Sequence, residues 1–370
     1  MLFELTNEQR KYLGLTETQS SWEKVKFNDT IYLYFDADRL VKRITVDENS
    51  YFEIELDETT AENRTMVLPK TARGKARKLN YTALEAMKGV GIYFFFFDGH
   101  VKIANFSTQT TFYSSNDYHQ EEITGVEGLK KWLNQWIDDT TEDDLKDIES
   151  FRSAQRQHCK YKEGDFFAFK SGRRQYGFGR ILLDVSRICK EIEQGKIKES
   201  HCGLTHLMGK ALVIKVYKKT SDSIHVNLNE LKQCDAFPST YMMDNRFYYG
   251  EYKILGNLPL EPFELDFPIS YSRSIDATAP NIVYLQYGLI YMETDISKHN
   301  EYLTDPHKEA FATINPFRCE SIGYGISLIN KSCDLRSQEN RKIKQQLFAH
   351  FGLDANKSYF ENYQIFMRSE

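Results

Sequence analysis

The sequence predicts an α+β protein with two β-rich domains, mostly antiparallel, joined by a helical segment and followed by a C-terminal helix. Three observations predict this class. Aromatic residues make up 14% of the 370-residue chain, and aromatic side chains pack well in strands. Runs of alternating apolar and polar residues recur in both halves. Between these halves, and again near the C-terminus, apolar residues follow helical spacing.

The domain organisation follows from the order of these patterns. A chain of this length is expected to hold two domains, at roughly 100–200 residues each. We expect an N-terminal α+β domain at residues 1–150, a β-rich domain at residues 151–335, and a C-terminal helix and tail at residues 336–370.

The first 125 residues are expected to form strands joined by short turns. "SYFEIELDE" alternates cleanly from Ser50 to Glu58, which is typical of a strand with one buried face. The dipeptide Asp98-Gly99 separates two apolar runs and indicates a hairpin. The apolar run "VGIYFFFF", Val90–Phe97, suits a fully buried strand.

Two helices are predicted after these strands. Leu129, Leu133 and Trp136 fall on one face of the segment from 125 to 139. A second helix follows, capped by Thr140 or Thr141 and acidic in its first turn. The predicted C-terminal helix, "RSQENRKIKQQLFAHFGL", turns its apolar residues inward.

The second half is β-rich with short helices between the strands. A helix followed by a loop is expected after residue 186, and Asn227 is a candidate cap for another short helix. The predicted strands are Asp165–Phe169, Phe178–Val185, Ala211–Tyr217, Phe247–Leu255 and Ile282–Tyr291.

Composition and charge indicate which cellular compartment and which classes of partner we expect. The net charge is −5, which gives no bulk reason to expect nucleic acid. The beginning of the sequence lacks a signal-peptide pattern, and the longest apolar run is far below the ~18 residues of a membrane span. The six cysteines are scattered. We therefore expect a cytoplasmic protein with free thiols and no membrane partner.

A glycine- and arginine-containing segment, Tyr176–Arg180, raises the question of a phosphate-binding loop. Such a loop needs a helix directly after its glycines, so that free amides point at the anion. Here the apolar, β-branched "RILLDV" follows and indicates a strand. We therefore predict a strand, a turn at 170–175, and a second strand bent at Gly177 and Gly179.

A basic segment lies in "PKTARGKARKLN". Its cations are a candidate contact for an anion, an acidic partner or a nucleic-acid backbone, but the pattern favours a solvated loop, because charge runs usually lie on the surface. The cations are Lys70, Arg73, Lys75, Arg77 and Lys78.

Catalytic and metal motifs are absent from the sequence. It has neither a Gly-x-Ser-x-Gly elbow nor a local cysteine-nucleophile signature. The pairs His158-Cys159 and His201-Cys202 lack the spacing of a zinc site. We expect no enzymatic activity, cofactor or metal, although a catalytic site assembled from distant residues stays an open alternative.

One short motif resembles the start of the immunity protein 26 family of bacterial polymorphic toxin systems. The resemblance covers roughly residues 155–300 and leaves the first 150 residues outside it. The matching positions are Gly164, Asp165, Phe166, Ala168, Tyr176, Gly177, Gly179 and Arg180.

The resemblance implies a cytosolic protein that binds and neutralises a cognate toxin by occlusion, without a cofactor, in interbacterial competition. The family-motif residues that are candidate contacts for such a partner are Asp165, Tyr176, Gly177, Gly179 and Arg180. The acidic segment 138–147 is a further candidate contact if the toxin is basic, as a nuclease would be. The alternative is a nucleic-acid-binding protein in bacterial defence or regulation that uses the basic loop 70–78.

Overall fold

The computed structural model describes residues 3–68, 74–75, 77–115, 123–205, 207–274, 276, 278–304, 315–320 and 322–369. They form two compact units, Met1–His158 and Cys159–Glu370. Both units combine helices with antiparallel sheets, and helices end the chain. The predicted fold class is therefore confirmed.

The first unit is built on one antiparallel sheet of nine described strands, ordered β1-β2-β3-β4-β7-β8-β9, with β5 paired to β4 and β6 to β5. Its strands are β1 (Glu23–Lys26), β2 (Ile31–Asp36), β3 (Arg39–Val46), β4 (Ser50–Ala61), β5 (Met66–Leu68), β6 (Arg77–Lys78), β7 (Val90–Phe97), β8 (His100–Asn105) and β9 (Thr110–Ser114). Its helices are α1 (Asn7–Leu13), α2 (Tyr81–Glu85), α3 (Gly125–Asp138) and α4 (Glu142–Ser153).

The β7–β8 hairpin confirms the expected turn at Asp98-Gly99. Both residues have positive φ, +47° and +80°, as a tight two-residue hairpin turn requires. Phe97 and His100 then face each other as the first pair of the ladder.

The expectation that β7 is fully buried is wrong. Its side chains alternate: Ile92, Phe94 and Phe96 are buried, whereas Phe97 is 55% exposed. The buried face packs against α3, where the ring of Trp132 stacks on Phe94 at 6.0 Å. Five consecutive aromatics, Tyr93–Phe97, hid this alternation in the sequence, because both faces of the strand carry the same residue type.

The two predicted helices, α3 and α4, cover one face of the sheet. Leu129, Leu133 and Trp136 are buried in the same core as β7. Thr141 is the cap of α4, where its hydroxyl and the Asp144 carboxylate each accept a hydrogen bond from the other residue's backbone amide. Helix α1 was not expected, although Thr6 and Gln9 form a capping box that signals its start.

Helix α1 carries a charge into this core. Arg10 is 2% exposed, and its Nε donates to the Glu53 carboxylate of β4 at 2.8 Å. Lys42 and the Tyr51 hydroxyl donate to the same carboxylate. Burial alone would raise the pKa of Glu53, but Lys42 and Arg10 hold it below its usual range.

The second unit contains a sheet ordered β13-β12-β11-β10-β14 and a second sheet ordered β15-β16-β17. Its strands are β10 (Asp165–Lys170), β11 (Tyr176–Asp184), β12 (Ala211–Ser221), β13 (Thr240–Met243), β14 (Lys253–Asn257), β15 (Ile269–Arg273), β16 (Ile282–Tyr287) and β17 (Ile290–Asp295). Its helices are α5 (Arg187–Glu193), α6 (Leu228–Lys232), α7 (Asn245–Tyr248), α8 (Arg341–His350) and α9 (Tyr359–Ser369), with short 3₁₀ turns between elements.

Two predicted strands of this unit differ from the structure. Phe247–Leu255 begins as the end of α7 and becomes strand only in β14. Ile282–Tyr291 is a hairpin rather than one strand, because Gly288 takes a φ of +58° and reverses the chain between β16 and β17.

The predicted short helices are confirmed in α5 and α6. The side chain of Asn227 caps α6 by accepting hydrogen bonds from the amides of Asn229 and Glu230. Near the C-terminus, α8 buries Leu347 and Phe348 as expected. The expected tail forms the further helix α9.

The Glu53 cluster generates a stability prediction for the first unit. Glu53→Ala leaves the buried Lys42 without its anion, while Arg10 keeps its pair with Glu4, and should lower the free energy of unfolding by about 3–5 kcal/mol. The matched control is Asp57→Ala on the same strand, where the exposed pair with Arg39 should change stability by less than about 1 kcal/mol. All three tryptophans of the chain lie in this unit, so urea unfolding followed by tryptophan fluorescence reports on it selectively. Equal losses for both variants would contradict the prediction.

A histidine pair in the second unit predicts acid sensitivity. Burial and the neighbouring His350 ring lower the pKa of His299, although Glu301 opposes them. The Tyr271 hydroxyl lies 2.8 Å from Nδ1 of His299. A neutral His299 ring can accept a hydrogen bond from this hydroxyl. The unfolded chain, with a His pKa near the ordinary 6.5, therefore takes up the proton first. Stability is full above that pH and is lost as the pH falls through the lowered pKa of the folded state.

The measurement is thermal unfolding by circular dichroism between about pH 7.5 and 5.5, where histidines titrate. His299→Gln should show a smaller loss than the unchanged protein. Parallel curves for the two proteins would remove His299 as the cause.

Candidate partner-binding site

The family motif begins at a tight turn before β10. Gly164 has a φ of +85°, and a Cβ there would lie 2.5 Å from the Leu258 carbonyl oxygen. The adjacent Asp165 is buried; it accepts a hydrogen bond from the Lys162 amide at 2.8 Å and one from the Asn257 side chain at 2.8 Å. Gly164 and Asp165 thus fix the start of β10 against the end of β14.

Gly177 and Gly179 make room for aromatic rings. A Cβ on Gly177 would lie 2.5 Å from the Phe169 ring, and one on Gly179 would lie 2.3 Å from the Phe167 ring. The register between β11 and β12 shifts between the two glycines. The predicted strand, turn and bent second strand are confirmed, and no helix follows the glycines as a phosphate loop would need.

Arg180 is fully buried and lies in a complete set of contacts. Its guanidinium donates to the Glu264 carboxylate at 2.5 Å and to the carbonyl oxygens of Leu258 and Pro259 at 2.6 and 2.9 Å. Its Cζ lies 4.4 Å from the centre of the Phe166 ring. Arg180 therefore has no exposed surface to offer a partner in this arrangement.

Glu264 is the residue that sequence reasoning missed. It lies 84 positions after Arg180, in a 3₁₀ turn with no motif of its own. Lys215 of β12 donates to the same carboxylate at 2.8 Å. Burial alone would raise the pKa of Glu264, but Lys215 and Arg180 bring it below its usual range.

The accessible part of the motif is the turn that it supports. Arg174 and Gln175 are exposed at this turn between β10 and β11, and Tyr176 is half-buried beside them. Of the five motif residues considered as partner contacts, Asp165, Gly177, Gly179 and Arg180 are buried. Tyr176 is thus the motif residue that combines side-chain surface with access to solvent.

The basic segment lies only partly within the described residues. Lys70 and Arg73 fall outside them. Lys75 and Lys78 are exposed, and Arg77 is half-buried on β6. These three cations belong to the first unit, whereas the motif belongs to the second.

The acidic segment 138–147 presents carboxylates at the junction of α3 and α4. Asp144 is buried in the helix cap. Lys146 lies 2.8 Å from Asp143 and offsets part of the charge. The exposed carboxylates are Asp138, Asp139, Glu142, Asp143 and Asp147.

Three further features concern metals, thiols and membranes. All six cysteines are free thiols. Within the described ranges, no group of three or more His, Cys, Asp or Glu side chains is arranged to hold a metal ion. Among the helices that the structure describes, none has the length and apolar character needed to cross a bilayer.

Comparison with known proteins identifies one segment. Residues 162–279 match the family model described as Immunity protein 26. The match begins just before Gly164, ends beyond β15, and lies within the part of the chain where the resemblance was expected. No significant match to the chain was found among curated proteins or among solved structures.

Arg180→Ala tests the structural role of the motif. The change removes one ion partner of the buried Glu264 and the donor to two backbone carbonyls. The free energy of unfolding of the second unit should therefore fall by about 3–5 kcal/mol. Arg187→Ala is the matched control, because the side chains of Arg187 and its partner Glu163 are 45% and 29% exposed and the pair should contribute less than about 1 kcal/mol. Hydrogen exchange at the amides of β10 and β11 measures the effect, with tryptophan fluorescence as the check that the first unit stays folded. Unchanged exchange in Arg180→Ala would show that the cluster does not hold the sheet.

Proposed function

We propose that this chain is a cytosolic immunity-type protein that binds and neutralises a cognate bacterial toxin by occlusion. The match of residues 162–279 to the Immunity protein 26 model carries the proposal. An immunity protein acts by covering its toxin, so it needs a stable surface rather than a catalytic group or a cofactor.

The geometry of the motif supports a scaffold that presents such a surface. Asp165 and Arg180 are satisfied by contacts within the chain, so they hold the sheet in place. This scaffold supports the turn at Arg174 and Gln175, with Tyr176 beside it, and the turn is accessible to solvent. Tyrosine and arginine are the residue types enriched at interface hot spots, and we assign this turn as one partner contact.

The acidic segment 138–147 is the second proposed contact. A toxin that cleaves nucleic acid carries a basic surface, and complementary charge speeds the encounter of two proteins. Asp138 and Glu142 are exposed on adjacent helices. The helix cap at Thr141 and Asp144 is independent of both side chains, so their charges can be removed without removing the cap.

The function is tested by co-expression with the toxin encoded beside the gene for this chain. We expect cells to survive the toxin only when this chain is present, and the two purified proteins to form a tight complex. A toxin that neither binds this chain nor loses its activity would end the proposal.

The acidic contact has its own test in association kinetics. Asp138→Asn with Glu142→Gln should slow the association with a basic toxin, and the difference should shrink as salt screens the charges. The control with the same charge change is Asp222→Asn with Asp235→Asn, two exposed carboxylates of the second unit. An equal effect of both pairs would mean that net charge, rather than this segment, steers the partner.

A further inference from the structure

The second unit contains a cavity of about 640 Å³, partly open to solvent, on one face of the β16–β17 hairpin. Its volume lies within the roughly 300–1,000 Å³ range of small-molecule pockets. The rings of Tyr284 and Tyr291 stack at 5.3 Å and form part of its wall. Apolar side chains from two other segments complete the wall: Leu204, Leu207 and Ile322.

The hydrogen-bond acceptors in this wall are already occupied. The Glu320 carboxylate accepts from Ser270, from Tyr284 and from Nε of Arg318. The Gln286 amide accepts from the Cys202 thiol at 3.1 Å and donates to the Gly288 carbonyl at 2.6 Å. A cationic ligand would therefore have to displace bonds that the protein makes with itself.

Asp276 is the remaining carboxylate among the wall residues that the structure describes. Its Oδ1 accepts from the amide and the hydroxyl of Thr278 at 2.8 and 2.7 Å. This carboxylate closes a local turn and is already engaged there.

The hydrogen-bond donors of the cavity wall differ from these acceptors, because several of them are not fully engaged within the protein. Within the part of the chain that the structure describes, the two terminal nitrogens of Arg318 make no hydrogen bond, and the Tyr291 hydroxyl makes none of normal geometry. His201 uses Nδ1 on the Glu293 carboxylate at 3.0 Å, which leaves its Nε2. A buried hydroxyl without a well-aligned acceptor is unfavourable, so a ligand that accepts from Tyr291 removes a penalty.

The protonation of these donors supports the same chemistry. The hydrogen bond to Glu293 raises the pKa of His201 and favours its charged form. Burial raises the pKa of Tyr291, so its hydroxyl keeps the proton at neutral pH. The side chains of Arg318 and His201 are 21% and 42% exposed, whereas Tyr291 is buried. The cations therefore lie nearer the solvent than the hydroxyl does.

We propose that this cavity binds a carboxylate carried on an apolar or aromatic body. Arg318, His201 and Tyr291 donate to the carboxylate, since a guanidinium presents paired donors that match its two oxygens. The apolar body lies against the leucines and the tyrosine stack. The carboxylate belongs either to a free organic acid or to an acidic side chain of a protein partner.

The first experiment titrates the full chain by calorimetry with three isosteric probes: 4-phenylbutyrate, its neutral amide and the corresponding amine. The acid should bind at least about tenfold more tightly than the amide, as expected for the loss of a charge-assisted hydrogen bond. The amine should not bind. Absence of acid binding, or equal binding of acid and amine, would overturn the proposal.

Two variants locate the site. Arg318→Gln and Tyr291→Phe should each weaken acid binding at least several-fold. Tyr287→Phe is the matched control, because Tyr287 is a buried tyrosine of the same hairpin that packs on Phe348 rather than in the cavity. Tyr291→Phe removes only a hydroxyl that makes no hydrogen bond of normal geometry, so the fold should persist even if Arg318→Gln unfolds. Unchanged affinity in Tyr291→Phe would overturn the assignment.

A last experiment distinguishes between the two sources of the carboxylate. An amidated, acetylated Gly-Phe-Glu-Phe-Gly peptide should bind better than its glutamine counterpart if a protein side chain enters the cavity. Binding of 4-phenylbutyrate alone would support a free organic acid. Toxin neutralisation is scored separately by co-expression, so failure of one proposal is distinguishable from failure of the other.

Discussion

The buried ion pair between Arg180 and Glu264 is the contact on which the arrangement of the second unit depends. Charges removed from water are tolerated only when nearly every donor and acceptor is satisfied. Here the guanidinium also reaches two carbonyls and an aromatic ring, and Lys215 shares the carboxylate. Strands β11 and β12 and the segment after β14 are thereby fixed to one another.

This constraint explains why a motif can identify a family without marking its contact surface. Gly164, Gly177 and Gly179 are glycines because neighbouring atoms fill the space of a side chain, and Asp165 and Arg180 are buried. Such residues specify a fold, whereas function resides in the surface that the fold presents. In this chain the turn beside Tyr176 is the part of the motif that is accessible to solvent.

The first unit also stabilises a buried carboxylate with neighbouring cations, but with different residues. Glu53 is a buried carboxylate held by two cations, one from the neighbouring strand and one from α1. In both clusters the buried carboxylate is matched by cations of the same unit. The cavity beside Tyr291 departs from this pattern, because its donors outnumber the acceptors that remain for them. Buried polar groups without partners need a structural explanation, and a ligand that accepts hydrogen bonds supplies one for this cavity.

The sequence by itself determined the class of the fold, the Asp98-Gly99 hairpin, helices α3 and α4 and the bend at Gly177 and Gly179, because each follows from local periodicity or backbone conformation. Tertiary structure decided which face of β7 is exposed, which carboxylate meets Arg180, and which donors share a cavity with Tyr291. These features join residues far apart in the chain, and a single sequence carries no local signal for such pairings. The motif could therefore be recognised from the sequence, but its burial was decided only by tertiary packing.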